Sequence, residues 1–289
     1  MDKAVTLNIA GIPIRIVGED VIPYLQMISG MNLFVDESHI DDFFEVRFGK
    51  HPYSGMVYDK LDEFMLADDY AKCFFGKQGD RYVFEMQPTQ EGLMNFVMVY
   101  DGKRHFECTV IEDVTMLRFA LWMAYCMSGL NMRRTPIHSS TIEYHGRAVL
   151  FLGESGTGKS THTRLWLNNI EGARLLNDDS PIVTCVGDRV LVSGSPWSGK
   201  THCYHNLTFP LAAIVRLEQA KQNEMSRLDV LNAVAAVQPS LPPALAYDDY
   251  YADRMMDMVS QMVGYVPVYR LRCLPNAEAA RLSFETIMK

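Results

Sequence analysis

Residues 153–160 read Gly-Glu-Ser-Gly-Thr-Gly-Lys-Ser and fit the pattern G-x-x-x-x-G-K-[ST]. Glycines in this pattern let the backbone turn so that successive N–H groups point at a phosphate chain. The apolar residues 148–152 precede the segment, and a stretch with helical periodicity follows it. Strand, loop and helix in this order predict a phosphate-binding loop, and the positive end of the helix dipole adds to the anion site.

The loop motif predicts ATP and Mg²⁺ as ligands. Lys159 is expected to contact the outer phosphates, and the Ser160 hydroxyl to ligate the metal ion. A glycine-rich turn that binds nothing is the alternative. The predicted nucleotide-binding residues are Gly153, Glu154, Ser155, Gly156, Thr157, Gly158, Lys159, Ser160 and Thr161.

Two adjacent carboxylates, Asp178 and Asp179, follow the apolar residues 173–176, which predict a short strand. They come about twenty residues after the loop lysine. Carboxylates at a strand end can hold Mg²⁺ or accept the proton of an attacking hydroxyl. An Asx-turn, in which Asp179 caps the corner at Ser180, is the alternative.

The elements around these residues are predicted from their periodicity. Residues 137–144 and 147–152 are expected to form a hairpin that leads into the loop, where most nucleotide-binding α/β domains have a helix. The other predicted strands are residues 182–185, 190–193, 212–217 and 266–272, and the predicted helices are residues 159–168, 228–237 and 247–263 and a closing helix from Ala277.

A polar, glycine-rich stretch, residues 194–200, carries one indole and one cation, Trp197 and Lys200. An active-site loop and a surface hairpin both fit this composition. The sequence leaves the choice open.

The first part of the chain, residues 1–112, alternates short β-type runs with polar turns. It predicts a small, sheet-rich α+β domain whose role the sequence does not indicate. Asp113 is a plausible N-cap of a buried helix with apolar residues at helical spacing. We therefore predict a domain junction there, with an α/β domain containing the loop over residues 113–289.

Composition excludes several classes of protein. The formal charge is −8, and no cluster of Lys and Arg is interleaved with aromatic residues, so nucleic acid is not an expected partner. Six scattered cysteines without a C-x-x-C pair are typical of buried, reduced thiols. The start of the chain does not have the pattern of a signal peptide, and the most apolar stretch, residues 117–132, is too short to span a bilayer. These features predict a cytoplasmic protein without a membrane partner.

Together, the loop, the hairpin and the paired aspartates resemble the catalytic domain of HPr kinase/phosphorylase, whose nucleotide-binding core is shared with phosphoenolpyruvate carboxykinases. That family has a histidine on the first hairpin strand, fifteen residues before the first loop glycine, and His138 lies at this distance from Gly153. The resemblance covers roughly residues 130–200 with specific motifs and the rest to residue 289 weakly. It implies an α/β fold with a mixed sheet.

The resemblance also implies roles for individual residues. Lys159 would hold the outer phosphates, and Asp178 would be the base that deprotonates the acceptor hydroxyl, with His138 close to it. Asp179 and Ser160 would contact the metal ion. The resemblance leaves open the exchange of these two roles, with Asp179 as the base and Asp178 as the metal contact.

This chain departs from the family pattern in the acceptor half. The family has a metal-binding Glu followed by Ile-Arg-Gly after the next strand, whereas residues 191–194 here carry no carboxylate. The segment that engages the protein substrate in the family is also not recognisable. The sequence therefore predicts an ATP- and Mg²⁺-dependent phosphotransferase that acts on a hydroxyl of an unidentified small molecule, peptide or protein. The alternative is a catalytically inactive nucleotide-binding module in regulation or assembly, and a homo-oligomer is compatible with either.

Overall fold

The computed structural model describes residues 3–49, 55–66, 69–199 and 201–289. Within these residues it has seventeen strands, six α-helices and three short 3₁₀ helices. The chain divides into two compact units, Met1–Met132 with Ala244–Ala252, and Arg133–Pro243 with Asp253–Lys289. The first unit thus extends beyond the predicted domain over residues 1–112, because it also includes the following helix and a short segment from the C-terminal half.

The first unit is built on one sheet whose strand order is β1-β2-β3-β8-β7-β6-β5-β4. Strand β3 pairs in parallel with both of its neighbours, and the other pairs are antiparallel. The elements are β1 (Ala4–Ile9), β2 (Ile12–Val17), α1 (Ile22–Met27), β3 (Phe44–Gly49), β4 (Asp59–Leu66), β5 (Ala71–Gln78), β6 (Arg81–Pro88), β7 (Phe96–Tyr100), β8 (His105–Thr109) and α2 (Val114–Asn131), with a 3₁₀ helix at Met31–Phe34. The prediction of a sheet-rich N-terminal region with helices is confirmed.

Helix α2 is the buried helix that the sequence predicts. Asp113 caps it, since its carboxylate accepts a hydrogen bond from the backbone N–H of Met116 at 2.7 Å. Most of its side chains from Met116 to Leu130 are buried. Among the helices that the structure describes, none is long and apolar enough to cross a membrane.

The second unit carries the candidate site and contains a mixed sheet. Its strand order is β12-β10-β11-β15-β14-β13-β9, and β17 pairs with β15 and β16. The elements are β9 (Arg134–Pro136), β10 (Ser139–Tyr144), β11 (Arg147–Leu152), α3 (Lys159–Asn169), β12 (Arg174–Asp179), β13 (Ile182–Val186), β14 (Arg189–Ser193), β15 (Thr208–Gln219), β16 (Glu224–Arg227), α4 (Val230–Val237), most of α5 (Asp249–Tyr265), β17 (Val268–Cys273) and α6 (Ala277–Met288), with a 3₁₀ helix at Gln238–Ser240. Most of a further 3₁₀ helix, Pro243–Tyr247, and the first residues of α5 fall within the segment that belongs to the first unit. The predicted hairpin is confirmed, because β10 and β11 pair in antiparallel register. The prediction of an α/β fold with a mixed sheet is also confirmed, since β11 and β17 both run parallel to β15.

Helices α3 and α6 cover the central strands and fix the position of the loop that precedes α3. Trp166 of α3 is fully buried and donates a hydrogen bond from Nε1 to Ser283 of α6 at 2.8 Å. Phe151 of β11 packs edge-on against the same indole. Because Trp166 joins the apolar core between sheet and helices, α3 is anchored about two turns beyond the glycine-rich segment.

Strand β12 is longer than the sequence predicts. The aspartates were expected to follow the strand, but Asp178 and Asp179 belong to it and pair with Ser140 and Ser139 of β10. Backbone pairing with a neighbouring strand extends the element through residues of low strand propensity.

All six cysteines are unpaired, and five of them are buried, as the sequence predicts. Burial raises the pKa of each thiol, to about 12 for Cys73 and Cys203 and to about 11 for Cys185. Since the thiolate is the reactive form, these groups should be inert in the folded protein.

We therefore predict that Ellman's reagent at pH 7.5 modifies at most one thiol of the native protein within minutes, with partly exposed Cys273 reacting first. In denaturant all six should react at once. Rapid modification of several thiols without denaturant would show that the described packing is wrong.

Candidate functional site

The candidate site lies at one end of three neighbouring strands of the second sheet, where β10 begins and β11 and β12 end. Strand β10 lies between β11 and β12, and its first residue, Ser139, pairs with Leu152 on one side and Asp179 on the other. His138 directly precedes β10. It therefore lies next to the end of β11, where the loop begins, and next to the aspartates at the end of β12. Residues distant in sequence meet here because of this register.

The glycine-rich loop, residues 153–158, joins β11 to α3. Two glycines are required by its geometry. Gly158 has φ of 106° directly before the first residue of α3, and a Cβ on Gly153, where φ is 159°, would lie 3.1 Å from the Thr157 side chain. The loop thus ends at a helix N-terminus, which is the arrangement that favours anions.

Lys159, the first residue of α3, folds back over the loop. Its ammonium donates to the backbone oxygens of Gly153 at 2.8 Å and Glu154 at 3.2 Å. It also lies 2.9 Å from Nε2 of His138. Burial lowers the pKa of this ammonium, and the carboxylates of Asp179, Asp178 and Glu154 act in the opposite direction. A cation thus lies at the mouth of the loop within reach of three anionic groups.

The two aspartates have different surroundings. Asp178 is buried, and its Oδ1 accepts a hydrogen bond from the Ser160 hydroxyl at 3.0 Å. Asp179 is partly exposed, and its Oδ1 lies 3.3 Å from Nδ1 of His138. The sequence leaves open an Asx-turn in which Asp179 caps the corner at Ser180. In the structure Asn177 has this role instead, because the Ser180 N–H donates to the side-chain oxygen of Asn177.

A chain of contacts runs from Asp179 through His138 to Lys159. An ammonium can only donate, so Nε2 of His138 accepts from Lys159 and the ring proton is on Nδ1, facing Asp179. The backbone N–H of His138 donates to the backbone oxygen of Ser240 at 2.7 Å, which fixes the main chain at this residue.

Asp179 has strained backbone geometry, with φ of 151°, a region that glycine adopts readily and other residues rarely do. Such strain costs roughly 1–3 kcal/mol and is retained where the surroundings enforce it. Strained backbone of this kind clusters at functional sites, which makes Asp179 a candidate site residue.

The polar stretch at residues 194–199 lies against the aspartates, which favours its interpretation as an active-site loop. The Gly199 N–H donates to the Asp178 backbone oxygen at 2.6 Å, and the Ser198 hydroxyl donates to the same oxygen at 3.3 Å. A Cβ on Gly199 would lie 3.1 Å from that oxygen, which is a tight contact, so glycine favours this close approach. Lys200 lies outside the described residues.

One charged residue at the site was not singled out from the sequence. Arg216 lies in β15 opposite Leu152 of the parallel strand β11, and its guanidinium forms an ion pair with the Glu154 carboxylate of the loop. The Arg216 side chain is 17% exposed. A single cation within the apolar run at residues 212–217 was the available signal, because a charge in a buried strand requires a partner.

The structure thus brings His138, Lys159, Ser160 and both aspartates to the same end of the sheet, where they form two contact groups, Asp179 with His138 and Lys159, and Ser160 with Asp178. Of the remaining predicted residues, Glu154, Ser155, Gly156 and Thr157 line a cavity beside β15. Thr161 is exposed in the first turn of α3.

The donor set suits a hard cation such as Mg²⁺. Ser160 Oγ and Asp178 Oδ1 are oxygen ligands 3.0 Å apart. In the part of the chain that the structure describes, no group of three or more His, Cys, Asp or Glu side chains could hold a metal ion unaided. Mg²⁺ is typically bound by one or two carboxylates together with water and substrate phosphates, so this partial set fits it.

Comparisons with known proteins add little. No family model matches the chain, and no curated protein matches its sequence. Among solved structures, the HPr(Ser) kinase/phosphatase from Coxiella burnetii is similar at a TM-score of 0.29 and 12% identity, over 53% of this chain and 93% of that one. A similarity this low supports no functional conclusion, so function must follow from the site residues.

The strain at Asp179 leads to a stability prediction. Asp179→Gly and Asp179→Ala both remove the carboxylate and differ only in the Cβ. We expect the glycine variant to be more stable by roughly 1 kcal/mol, since relief of strain exceeds the entropy that glycine loses on folding. Urea unfolding of both variants measures the difference.

Asp257 provides the matched control, because it is exposed within α5. There the order should reverse, with Asp257→Ala more stable than Asp257→Gly by about 1 kcal/mol. If alanine is the more stable substitution at position 179 as well, the strain is not real.

Proposed function

We propose that the protein transfers the terminal phosphoryl group of ATP, with Mg²⁺, to a hydroxyl group of a small molecule, peptide or protein. The observation that carries the proposal is the contact network at one sheet edge, in which Asp179, His138 and Lys159 form one chain and Ser160 and Asp178 form another. Phosphoryl transfer mainly needs positioning and charge neutralisation, and a base for the attacking hydroxyl.

The glycine-rich loop and Lys159 supply the phosphate side of the proposed site. Loop N–H groups and the N-terminus of α3 attract the phosphate chain. Lys159 already lies over the loop and exchanges its backbone contacts for phosphate oxygens when the nucleotide binds. Its positive charge offsets the charge that develops on the transferred group.

The environments of the two aspartates favour Asp178 as the metal ligand and Asp179 as the base, which is the reverse of the roles that the resemblance implies. Asp178 is buried beside Ser160, so these two oxygens are the proposed metal ligands. Mg²⁺ held there would supply positive charge that offsets the charge of the phosphates. Asp179 is more exposed and is held by His138, so its carboxylate is the proposed base.

In the proposed step the acceptor oxygen attacks the terminal phosphorus as Asp179 accepts the hydroxyl proton. The bond between that phosphorus and the bridging oxygen breaks, and ADP leaves with the bonding electron pair. His138 keeps its Nδ1 proton throughout and donates a hydrogen bond from it to Asp179, which orients the carboxylate. The products are ADP, a phosphorylated acceptor and a protonated carboxylate that returns its proton to solvent.

Transfer from γ-labelled ATP tests the proposal and the assignment together. Wild type with Mg²⁺ and a dialysed lysate of the source organism should yield a labelled acceptor. Asp179→Asn should lower transfer by a factor of about 10² to 10⁴, the usual contribution of a general base, with Mg²⁺-dependent ATP binding intact. Asp178→Asn should instead weaken the Mg²⁺-dependent part of ATP binding.

The matched control is Asp188→Asn, at an exposed position between β13 and β14, which should behave as wild type. Loss of transfer in Asp178→Asn with Mg²⁺-dependent binding intact would return the base role to Asp178. Tight ATP binding by wild type with neither transfer nor hydrolysis would contradict the proposal. It would support an inactive nucleotide-binding module in regulation or assembly.

A further inference from the structure

A cavity of about 460 Å³ lies beside the glycine-rich loop, on the side away from the aspartates. It is lined by residues 154–157 of the loop and residues 216–219 of β15. Its volume is within the range of small-molecule sites. The reaction proposed above takes place at His138 and Asp179 and does not use this space.

The strand order separates the cavity from the reacting groups. In the order β12-β10-β11-β15, the loop follows β11, so the aspartates and His138 lie on one side of it and residues 216–219 on the other. Strands β11 and β15 are parallel, and both end at the cavity. Ligands of α/β sheets bind at the carboxyl ends of such strands.

The charges that line the cavity are already compensated. Arg216 pairs with Glu154, and Glu218 lies 3.1 Å from Arg270 and 3.9 Å from Arg272. All lining residues are among those that the structure describes, and none offers a cation free of a carboxylate. A second phosphate group would therefore find no complementary charge in the cavity. A neutral polar group needs no such charge and suits the cavity better.

The uncharged polar side chains that line the cavity are Ser155 and Thr157 of the loop and Gln219 of β15. Of these, Gln219 presents an amide. The amide nitrogen of Gln219 donates to the backbone oxygen of Gly156 at 3.3 Å, which leaves the amide oxygen available to a ligand. The amide oxygen of such a side chain accepts from N–H or O–H groups. Ribose hydroxyls and nucleobase amines are donors of this kind.

We propose that this cavity binds the nucleoside half of a nucleoside triphosphate whose phosphates occupy the glycine-rich loop, with Gln219 as a contact that the nucleoside makes. The acceptor then approaches from the opposite side of the loop, next to Asp179. This inference rests on the proposed function, because it requires the loop to hold the phosphates.

Photolabelling with 8-azido-ATP locates the base directly. Illumination should attach the label to the tryptic peptide of residues 217–221 or to loop residues 154–157, and unlabelled ATP should prevent this. Inorganic tripolyphosphate should protect only at higher concentration, because it lacks the nucleoside. A label confined to His138 or to residues 195–205 would place the base on the other side of the loop and overturn the inference.

Variants give the second measurement. Gln219→Ala should weaken ATP binding about three- to tenfold, as expected for the loss of a hydrogen bond, while tripolyphosphate binding changes less than about twofold. The matched control, Gln222→Ala, removes an exposed amide that does not line the cavity and should change neither.

The outcomes separate this inference from the proposed function. If wild type binds ATP and tripolyphosphate with equal affinity, the nucleoside makes no contacts and only the cavity assignment fails. If Gln219→Ala retains ATP affinity but loses transfer, the cavity belongs to the acceptor. If wild type binds neither compound, the phosphate-binding role of the loop fails and the cavity assignment fails with it.

Discussion

The pairing of β10 with β11 on one side and β12 on the other is the constraint on which the candidate site depends. Ser139 pairs with both Leu152 and Asp179, so one register fixes His138 relative to the loop and to the aspartates. A shift of one residue would turn the side chains to the opposite face. The buried core that holds this register, with Phe151 and Trp166 at its centre, is therefore part of the functional architecture.

Local patterns in the sequence were sufficient to predict much of the fold around the loop. Its glycines and Lys159, the hairpin, the N-cap of α2 and the reduced cysteines are local features, and the structure contains all of them. The roles of Asp178 and Asp179 could not be separated, because adjacent residues differ only in their tertiary neighbours. Arg216 was missed for the same reason, since only the parallel pairing of β11 and β15 brings it to Glu154.

The site combines rigid support with local strain. The Asp178 carboxylate is buried and accepts a hydrogen bond from Ser160, and its backbone oxygen accepts from Ser198 and Gly199, whereas Asp179 combines an unfavourable φ with partial exposure. A buried, fully held carboxylate suits a metal ligand, and a more exposed one suits proton transfer to and from solvent.

A crystal structure with Mn²⁺ and a non-hydrolysable ATP analogue is the most decisive single measurement. We predict an anomalous manganese peak bonded to Ser160 Oγ and Asp178, the phosphates in the glycine-rich loop against Lys159, and Asp179 free of the metal and facing an open space beside the terminal phosphate. A manganese ion bound only elsewhere, or phosphates outside the loop, would show that these residues do not form a phosphoryl-transfer site.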